Sequence, residues 1–222
     1  MAVLQQVWLP LLLSAVLAYL LGSCNFAIIV SKTMLKEDIR EKGSGNAGAT
    51  NMLRSHGKGP AALTSVGDLA KSIVAVLVAR FVLFPAFDAA EYAVYGAYVA
   101  GFFCVLGHMY PLYFGFRGGK GVMTVLGMML VLDWVIALLG LAVFIVVVWL
   151  WRMVSLGSIV AGTSICISLF VKLKFIDGVV GGELLFCTAM VVLTIGLAIA
   201  KHSENIKRIL NGTESKFGSK KK

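Results

Sequence analysis

Residues 43–54, Gly-Ser-Gly-Asn-Ala-Gly-Ala-Thr-Asn-Met-Leu-Arg, carry the densest polar chemistry of the chain. Gly43, Gly45 and Gly48 let the backbone bend so that several N–H groups converge. Ser44, Asn46, Thr50 and Asn51 add hydrogen-bonding side chains, and Arg54 adds a bidentate cation. That set is suited to holding an anion. A second set follows: Gly107-His108-Met109-Tyr110-Pro111, then Gly115-Phe116-Arg117-Gly118-Gly119-Lys120-Gly121. Gly118 and Gly119 permit close backbone approach, and an apolar run begins at once. Backbone N–H groups, a helix dipole and the Lys120 ammonium would then point at one anion. His108 ends an apolar segment beside this loop, placed to position a substrate or take its proton. The third set is the stretch from Lys201 to Glu214. Ile206, Ile209 and Leu210 suggest a short amphipathic helix on a membrane surface, with His202, Asn205, Lys207 and Arg208 turned to polar partners.

Each set has a plainer reading. Gly43–Gly48 spells G-x-G-x-x-G, and Asp68 lies where a ribose carboxylate would, but an apolar helix and a charged linker precede it instead of a strand. The dinucleotide fold is therefore rejected. A flexible connection would need neither three glycines nor so dense a polar set. The second loop is not a Walker A motif, because Phe114 takes the first glycine position and Gly121 replaces Ser/Thr. Asp68 and Lys71, three residues apart on one helical face, read as an intrahelical pair supporting a site. With three histidines and no Cys/His/Asp cluster, neither a catalytic metal nor a cofactor is expected. An aspartate five positions after a histidine, used by many glycerolipid acyltransferases, is absent: Ala61, Tyr113 and Lys207 stand there.

These loops sit in a chain that is 59% hydrophobic and only 14% charged, with mean hydropathy +0.90. Soluble domains are about 25% charged, so the chain is expected to be an integral membrane protein. The net charge of +9 comes from short connections and the tail. That pattern is a topology signal before it is a nucleic-acid signal. Cys24, Cys104, Cys166 and Cys187 lie in apolar segments and read as small buried hydrophobes. Leu21-Gly22-Ser23-Cys24 imitates a lipoprotein cleavage box but lacks the positive n-region. Asn211-Gly212-Thr213 is a chance sequon among basic residues.

Apolar segments run over about 5–30, 60–84, 92–114, 119–132, 134–151, 153–172 and 182–200. Segment 134–151 would span about 27 Å, enough for the hydrocarbon core. Residues 122–151 are too long for one ordinary span, and Asp133 marks a turn within them. The expectation is an all-α bundle of about seven transmembrane helices. Five or six spans with a re-entrant piece is the alternative. Seven helices put the 31–59 loop, the 115–121 connection, Arg152 and the tail from Lys201 on one face. The other face receives the N-terminus, Asp88, Glu91, Asp133, Asp177 and Glu183, with Lys172 and Lys174 as exceptions. Positive residues prefer the cytoplasm, so the N-terminus is expected outside and the C-terminus inside. Residues 1–200 read as one membrane domain with cytoplasmic loops 31–59 and 115–121. Residues 201–222 read as a cytoplasmic amphipathic segment and basic tail ending in Ser219-Lys220-Lys221-Lys222, disordered and drawn to lipid. No internal repeat is visible.

Three motifs in order resemble one family. Gly43-Ser44-Gly45-Asn46-Ala47-Gly48-Ala49-Thr50-Asn51 is the first, and Gly-His-x-x-Pro with Gly-Gly-Lys-Gly is the second. The third is His202-x-Glu204-Asn205-Ile206-x-Arg208, continuing to Gly212-x-Glu214. Over essentially its whole length the chain is similar to bacterial acyl-phosphate:glycerol-3-phosphate acyltransferases, the PlsY family; Arg117 stands where relatives often carry Lys. The resemblance implies acyl transfer from acyl phosphate to the 1-hydroxyl of glycerol 3-phosphate, giving lysophosphatidic acid and phosphate. It also implies a multi-pass protein of the bacterial inner membrane, with its active site on the cytoplasmic face. Membrane lipids and transient contact with the soluble enzyme that makes acyl phosphate are implied too, and nucleic acid is not. On this reading Lys120, His108, Ser44, Arg54 and Asn205 are catalytic. Gly43, Gly45, Asn46, Gly48, Thr50, Asn51, Gly118, Gly119, Gly121 and His202 bind substrate. Either His108 or a substrate phosphate takes the hydroxyl proton. The competing classes are a transporter of phosphate or organic phosphates, which usually builds its site near the midplane, and a scaffold, which needs no such motifs.

Overall fold

The computed structural model describes residues 2–218, with side chains from Val7 onward. The tail Ser219–Lys222 lies outside the described residues. The described chain is helical throughout, without strands, and divides into two compact units, residues 1–132 and 133–222.

In the first unit the opening apolar run is two helices, α1 (Ala2–Ser23) and α2 (Phe26–Met34). The apolar pattern alone predicts one segment here. Asn25 makes the break: its backbone is extended and its Oδ1 accepts the Ile28 N–H at 3.1 Å, starting a new helix. After the 43–48 loop come α3 (Ala49–His56) and α4 (Lys58–Val78). A π-helical turn, Ala79–Leu83, carries α4 into the short α5 (Phe84–Ala86). The wider turn relieves the carbonyl four residues before Pro85, which a proline ring would otherwise meet. Helix α6 (Ala93–Met109) ends at the His108 motif, and α7 (Val122–Leu132) follows the second glycine loop.

Small residues join these helices. A Cβ on Gly22 of α1 would strike the Cys104 carbonyl of α6, and one on Gly107 would strike the Tyr19 carbonyl. Ala18, Ala75, Ala79, Ala100 and Cys104 form the core between α1, α4 and α6. Lipid supplies no hydrophobic drive between helices, so close backbone packing of this kind holds them. A second cluster, with Ile28, Ile39, Ala47 and Met52, lies beneath the first polar loop and gives it a floor.

The second unit holds α8 (Trp134–Trp151), α9 (Val154–Val171), α10 (Gly181–Ala200) and α11 (Ser203–Leu210). Asp133 caps α8 by accepting the Ile136 N–H at 3.1 Å, and its carboxylate pairs with Lys172 at 2.9 Å. Arg152, with φ 58°, turns α8 into α9, and Gly140 and Gly157 let the pair pack closely. Trp134 at one end of α8 and Trp149 and Trp151 at the other are exposed. That is the aromatic pattern of a helix meeting two membrane interfaces.

Six helical stretches are long and apolar enough to cross a membrane: Val7–Met34, Lys58–Ala86, Ala90–Phe114, Trp134–Trp151, Val154–Ile176 and Gly181–Ala200. Val122–Leu132 is apolar but has 11 residues, about 16 Å.

Candidate active site

The first polar loop is organised by Asn51, a side chain only 2% exposed. Its Nδ2 lies 3.1, 2.9 and 3.1 Å from the carbonyls of Ile39, Lys42 and Asn46. Its Oδ1 accepts the Ser44 N–H at 3.0 Å. Asn51 therefore spends its polar atoms on the loop's own backbone and shapes the loop from beneath. Gly43, at φ 56°, lies directly over it, and any Cβ there would collide with Asn51 Oδ1. The Gly48 carbonyl starts α3 by accepting from Asn51 N and Met52 N, each at 3.1 Å. Ser44 and Gly45 are exposed at the rim, and Asn46 and Thr50 are half-buried. Arg54 is exposed on α3, one turn beyond Thr50 and on the same face.

Arg40 binds this loop to the second one, a role the sequence did not reveal beyond positive charge. Its guanidinium grips Asp38 through two bonds of 2.9 and 2.7 Å and donates to the Phe114 carbonyl at 2.7 Å and the Arg117 carbonyl at 3.4 Å. Hydrogen bonding to Arg40 holds the Asp38 carboxyl well below the ordinary carboxylate range, although burial works the other way.

In the second loop Gly118 N donates to the Met109 carbonyl and Gly119 N to the His108 carbonyl, both at 3.2 Å. These amides face the end of α6, which corrects the expectation that they would meet an anion. The glycines are needed for space instead. A Cβ on Gly118 would strike the His108 carbonyl, and one on Gly119 would strike His108 Nε2 and the Ala47 carbonyl. Threaded through this gap, the chain delivers half-buried Lys120, then Gly121 at φ 80°, then α7. The N–H groups of Val122, Met123 and Thr124 open α7 and have no acceptor within the helix. Backbone N–H groups without a helical acceptor thus lie about one turn later than the glycine pair.

Behind the loop, His108 is 3% exposed. Its Nδ1 lies 3.1 Å from Lys71 Nζ and 3.3 Å from Asp68 Oδ1, and Lys71 and Asp68 pair at 2.8 Å. The expected intrahelical pair exists and also reaches His108. Asn25 joins the site as well: its Nδ2 lies 3.3 Å from the Ala47 carbonyl and 3.5 Å from the His108 carbonyl. An Asn just before an apolar helix is a capping signal, but nothing in the sequence marked these long-range partners.

In the second unit, His202 is buried and its Nδ1 donates to the Ala198 carbonyl at 2.7 Å. Asn205 Nδ2 and Ser155 Oγ donate to Glu214 Oε1 at 2.7 and 2.6 Å, and Arg208 Nε donates to Oε2 at 2.8 Å. Burial raises the pKa of Glu214, but the hydrogen bonds from Ser155, Arg208 and Asn205 outweigh it and leave the carboxyl below its ordinary value. Glu214 thus fixes the Asn205 amide; Ser155 carried no signal in the sequence.

Comparison with known proteins bears on all of this geometry. The family described as glycerol-3-phosphate acyltransferase matches residues 12–212. A glycerol-3-phosphate acyltransferase of Clostridioides difficile (strain 630) is 45% identical over 212 residues, covering 93% of this chain and 95% of that protein. One from Coxiella burnetii (strain CbuG_Q212) is 41% identical over 207 residues, covering 92% and 97%. The crystal structure of PlsY, an integral membrane glycerol 3-phosphate acyltransferase, in its glycerol 3-phosphate form matches with a TM-score of 0.81 at 36% identity, covering 94% of this chain and 96% of that one. Its lysophosphatidic acid form matches at 0.78 and 35%, covering 94% and 95%. The chain is a multi-pass integral membrane protein and belongs to the glycerol-3-phosphate acyltransferase family.

Proposed function

We propose that the protein transfers a fatty acyl group from acyl phosphate to the 1-hydroxyl of glycerol 3-phosphate, releasing lysophosphatidic acid and inorganic phosphate. The acyl carbon–phosphate oxygen bond breaks, the ester bond forms, and the hydroxyl proton leaves with phosphate. The observation that carries this reading is Gly119, held between His108 and the Ala47 carbonyl, directly before Lys120 and the open start of α7. An ammonium and a helix N-terminus together suit a phosphate leaving group and the oxyanion formed on the acyl carbon. Acyl phosphate is already activated, so the protein need only align the reactants and neutralise charge. Arg54, Ser44 and Thr50, on the rim built by Asn51, Gly43, Gly45, Asn46 and Gly48, are assigned to the other phosphate. In the second unit, His202 and Asn205 are assigned to substrate positioning.

Seven crossings are part of the proposal, with the N-terminus outside, the C-terminus inside and these loops on the cytoplasmic face of a bacterial inner membrane. In support, Gly121 lies against Met109 and Val105, whereas Met128 lies against Gly101. Helix α7 therefore runs antiparallel to α6, back at least to its midpoint. The test is phosphate release by purified protein in lipid with palmitoyl phosphate and glycerol 3-phosphate, alone and together. Release that needs both, with lysophosphatidic acid formed, supports the reading. Activity only with acyl-carrier-protein or coenzyme A donors overturns the donor. Movement of labelled phosphate across sealed vesicles without chemistry overturns the enzyme.

A further inference from the structure

Arg40 is half-buried, and four of its five N–H donors end on protein oxygens. Nε and Nη2 hold the Asp38 carboxylate at 2.9 and 2.7 Å. Nη1 makes a short bond of 2.7 Å to the Phe114 carbonyl and a long one of 3.4 Å to the Arg117 carbonyl. So engaged, the guanidinium has little left to offer a substrate phosphate. Its own footing is firm: Asp38 Oδ1 accepts the Arg40 N–H at 3.0 Å, and Ile39 between them is fully buried. The Ile39 carbonyl receives Asn51 Nδ2 at 3.1 Å, so Arg40 stands at the foot of the first polar loop.

The two carbonyls it holds bracket Gly115 and Phe116, both left-handed, at φ 66° and 58°. A non-glycine residue keeps that conformation only where its surroundings impose it. The Phe116 N–H, bonded to the Pro111 carbonyl at 2.9 Å, is one such constraint, and the hold on Phe114 is another. The Arg117 carbonyl and the Gly118 N–H belong to one planar peptide. Its oxygen edge faces Arg40, and its N–H edge donates to the Met109 carbonyl at 3.2 Å. The first loop and the end of α6 thus hold this peptide from opposite sides, and Lys120 follows directly after Gly119. Phe114 also packs against the apolar cluster beneath the first loop. Without Arg40 the loops would stay in contact, but their relative orientation would no longer be fixed.

We propose that Arg40 is a positioning residue for acyl transfer: it holds the Ser44, Thr50 and Arg54 rim and Lys120 at the separation that brings the acyl carbon to the 1-hydroxyl, and touches neither substrate. This rests on the acyltransferase reading, which assigns one phosphate to each loop. Each loop has its own internal frame: Asn51 in the first, and in the second the Gly118 and Gly119 amides bonded to the end of α6. Loss of Arg40 therefore spares phosphate binding at either loop and strikes the alignment between them.

The test compares Arg40→Ala and Arg40→Lys with the wild type in lipid nanodiscs. Hydrogen exchange read by mass spectrometry comes first and needs no turnover. In Arg40→Ala the 112–118 segment should exchange about ten-fold faster, while the 43–54 segment keeps its wild-type rate. Unchanged exchange at 112–118 overturns the tie, and faster exchange at 43–54 as well means that Arg40 builds the first loop instead. In the kinetic arm kcat should fall about 100-fold, because misplaced reactants lose their near-attack geometry. The Kd for glycerol 3-phosphate, read by calorimetry, should stay close to the wild-type value. Wild-type kcat, or binding lost in step with kcat, overturns the positioning role. Lysine keeps the charge but cannot hold a carboxylate and a carbonyl in one plane, so Arg40→Lys should remain impaired by about ten-fold or more. Full activity there would show that charge alone suffices and would overturn the proposal; the same readouts on Arg40→Lys decide it should the alanine variant not fold. Wild-type silence with acyl phosphate refutes the reaction, and the catalytic role with it, whereas the exchange result still decides the tie.

Discussion

At the residue scale the site divides into groups that meet substrate and groups that place them. Lys120 and Arg54 are the cations assigned to phosphates. Lys120→Ala and Arg54→Ala should each lower kcat/KM by about 100-fold or more in protein that still purifies as a folded species, measured by phosphate release. Near-wild-type turnover in either would remove that residue from the site. Gly119→Ala tests space and not charge. Its methyl would enter the volume shared by His108 Nε2 and the Ala47 carbonyl. Overpacking there should cost about 1–3 kcal/mol of stability and abolish activity, read by thermal unfolding in detergent beside the same assay. Survival of activity would mean the gap is not what sets Lys120.

Elements explain which parts were legible in the sequence. Long apolar runs fixed the membrane helices, and the three motifs named the loops, because composition and glycine content are local properties. The break at Asn25, the Asn51 hub and the Arg40 clamp were not legible. Each depends on a carbonyl brought from far along the chain, and backbone carbonyls leave no mark in sequence. The partners of the second loop's glycine amides are hidden for the same reason: their acceptors, the His108 and Met109 carbonyls, belong to the preceding helix end. Glu214 ties α9 to α11 and the segment after it through Ser155, Asn205 and Arg208. Since that carboxyl is more acidic folded than unfolded, its contribution is present above the ordinary carboxyl range. It is lost as pH falls through the lower folded value. Glu214→Gln should cost about 1.5–3 kcal/mol at neutral pH. It should also flatten the acid limb of a stability–pH curve, and an identical limb in both proteins would refute the assignment.

The whole molecule is assigned one polar face. In a background lacking Cys24, Cys104, Cys166 and Cys187, single cysteines at Ser44 and Ser203 should resist membrane-impermeant thiol reagents in intact cells. Those at Glu91 and Asp177 should react; all four positions are exposed. Labelling of Ser203→Cys and Glu91→Cys from the same side would require an even number of crossings between them and would demote α7 to a re-entrant helix.

The pairing of Asp68 with Lys71 within a single helix also bears on how the protein is made. A lone ion entering the bilayer centre costs about 2.5–3.5 kcal/mol on insertion scales. Here the two ions lie one turn apart on the same face, so α4 carries its own counterion as it leaves the translocon and its middle can enter lipid without net charge. His108 lies 37 residues further along the chain and follows α4 into the membrane. A variant with the carboxylate moved from α4 to α6 would keep the finished charge count but force an unpaired lysine to wait in the membrane for its partner.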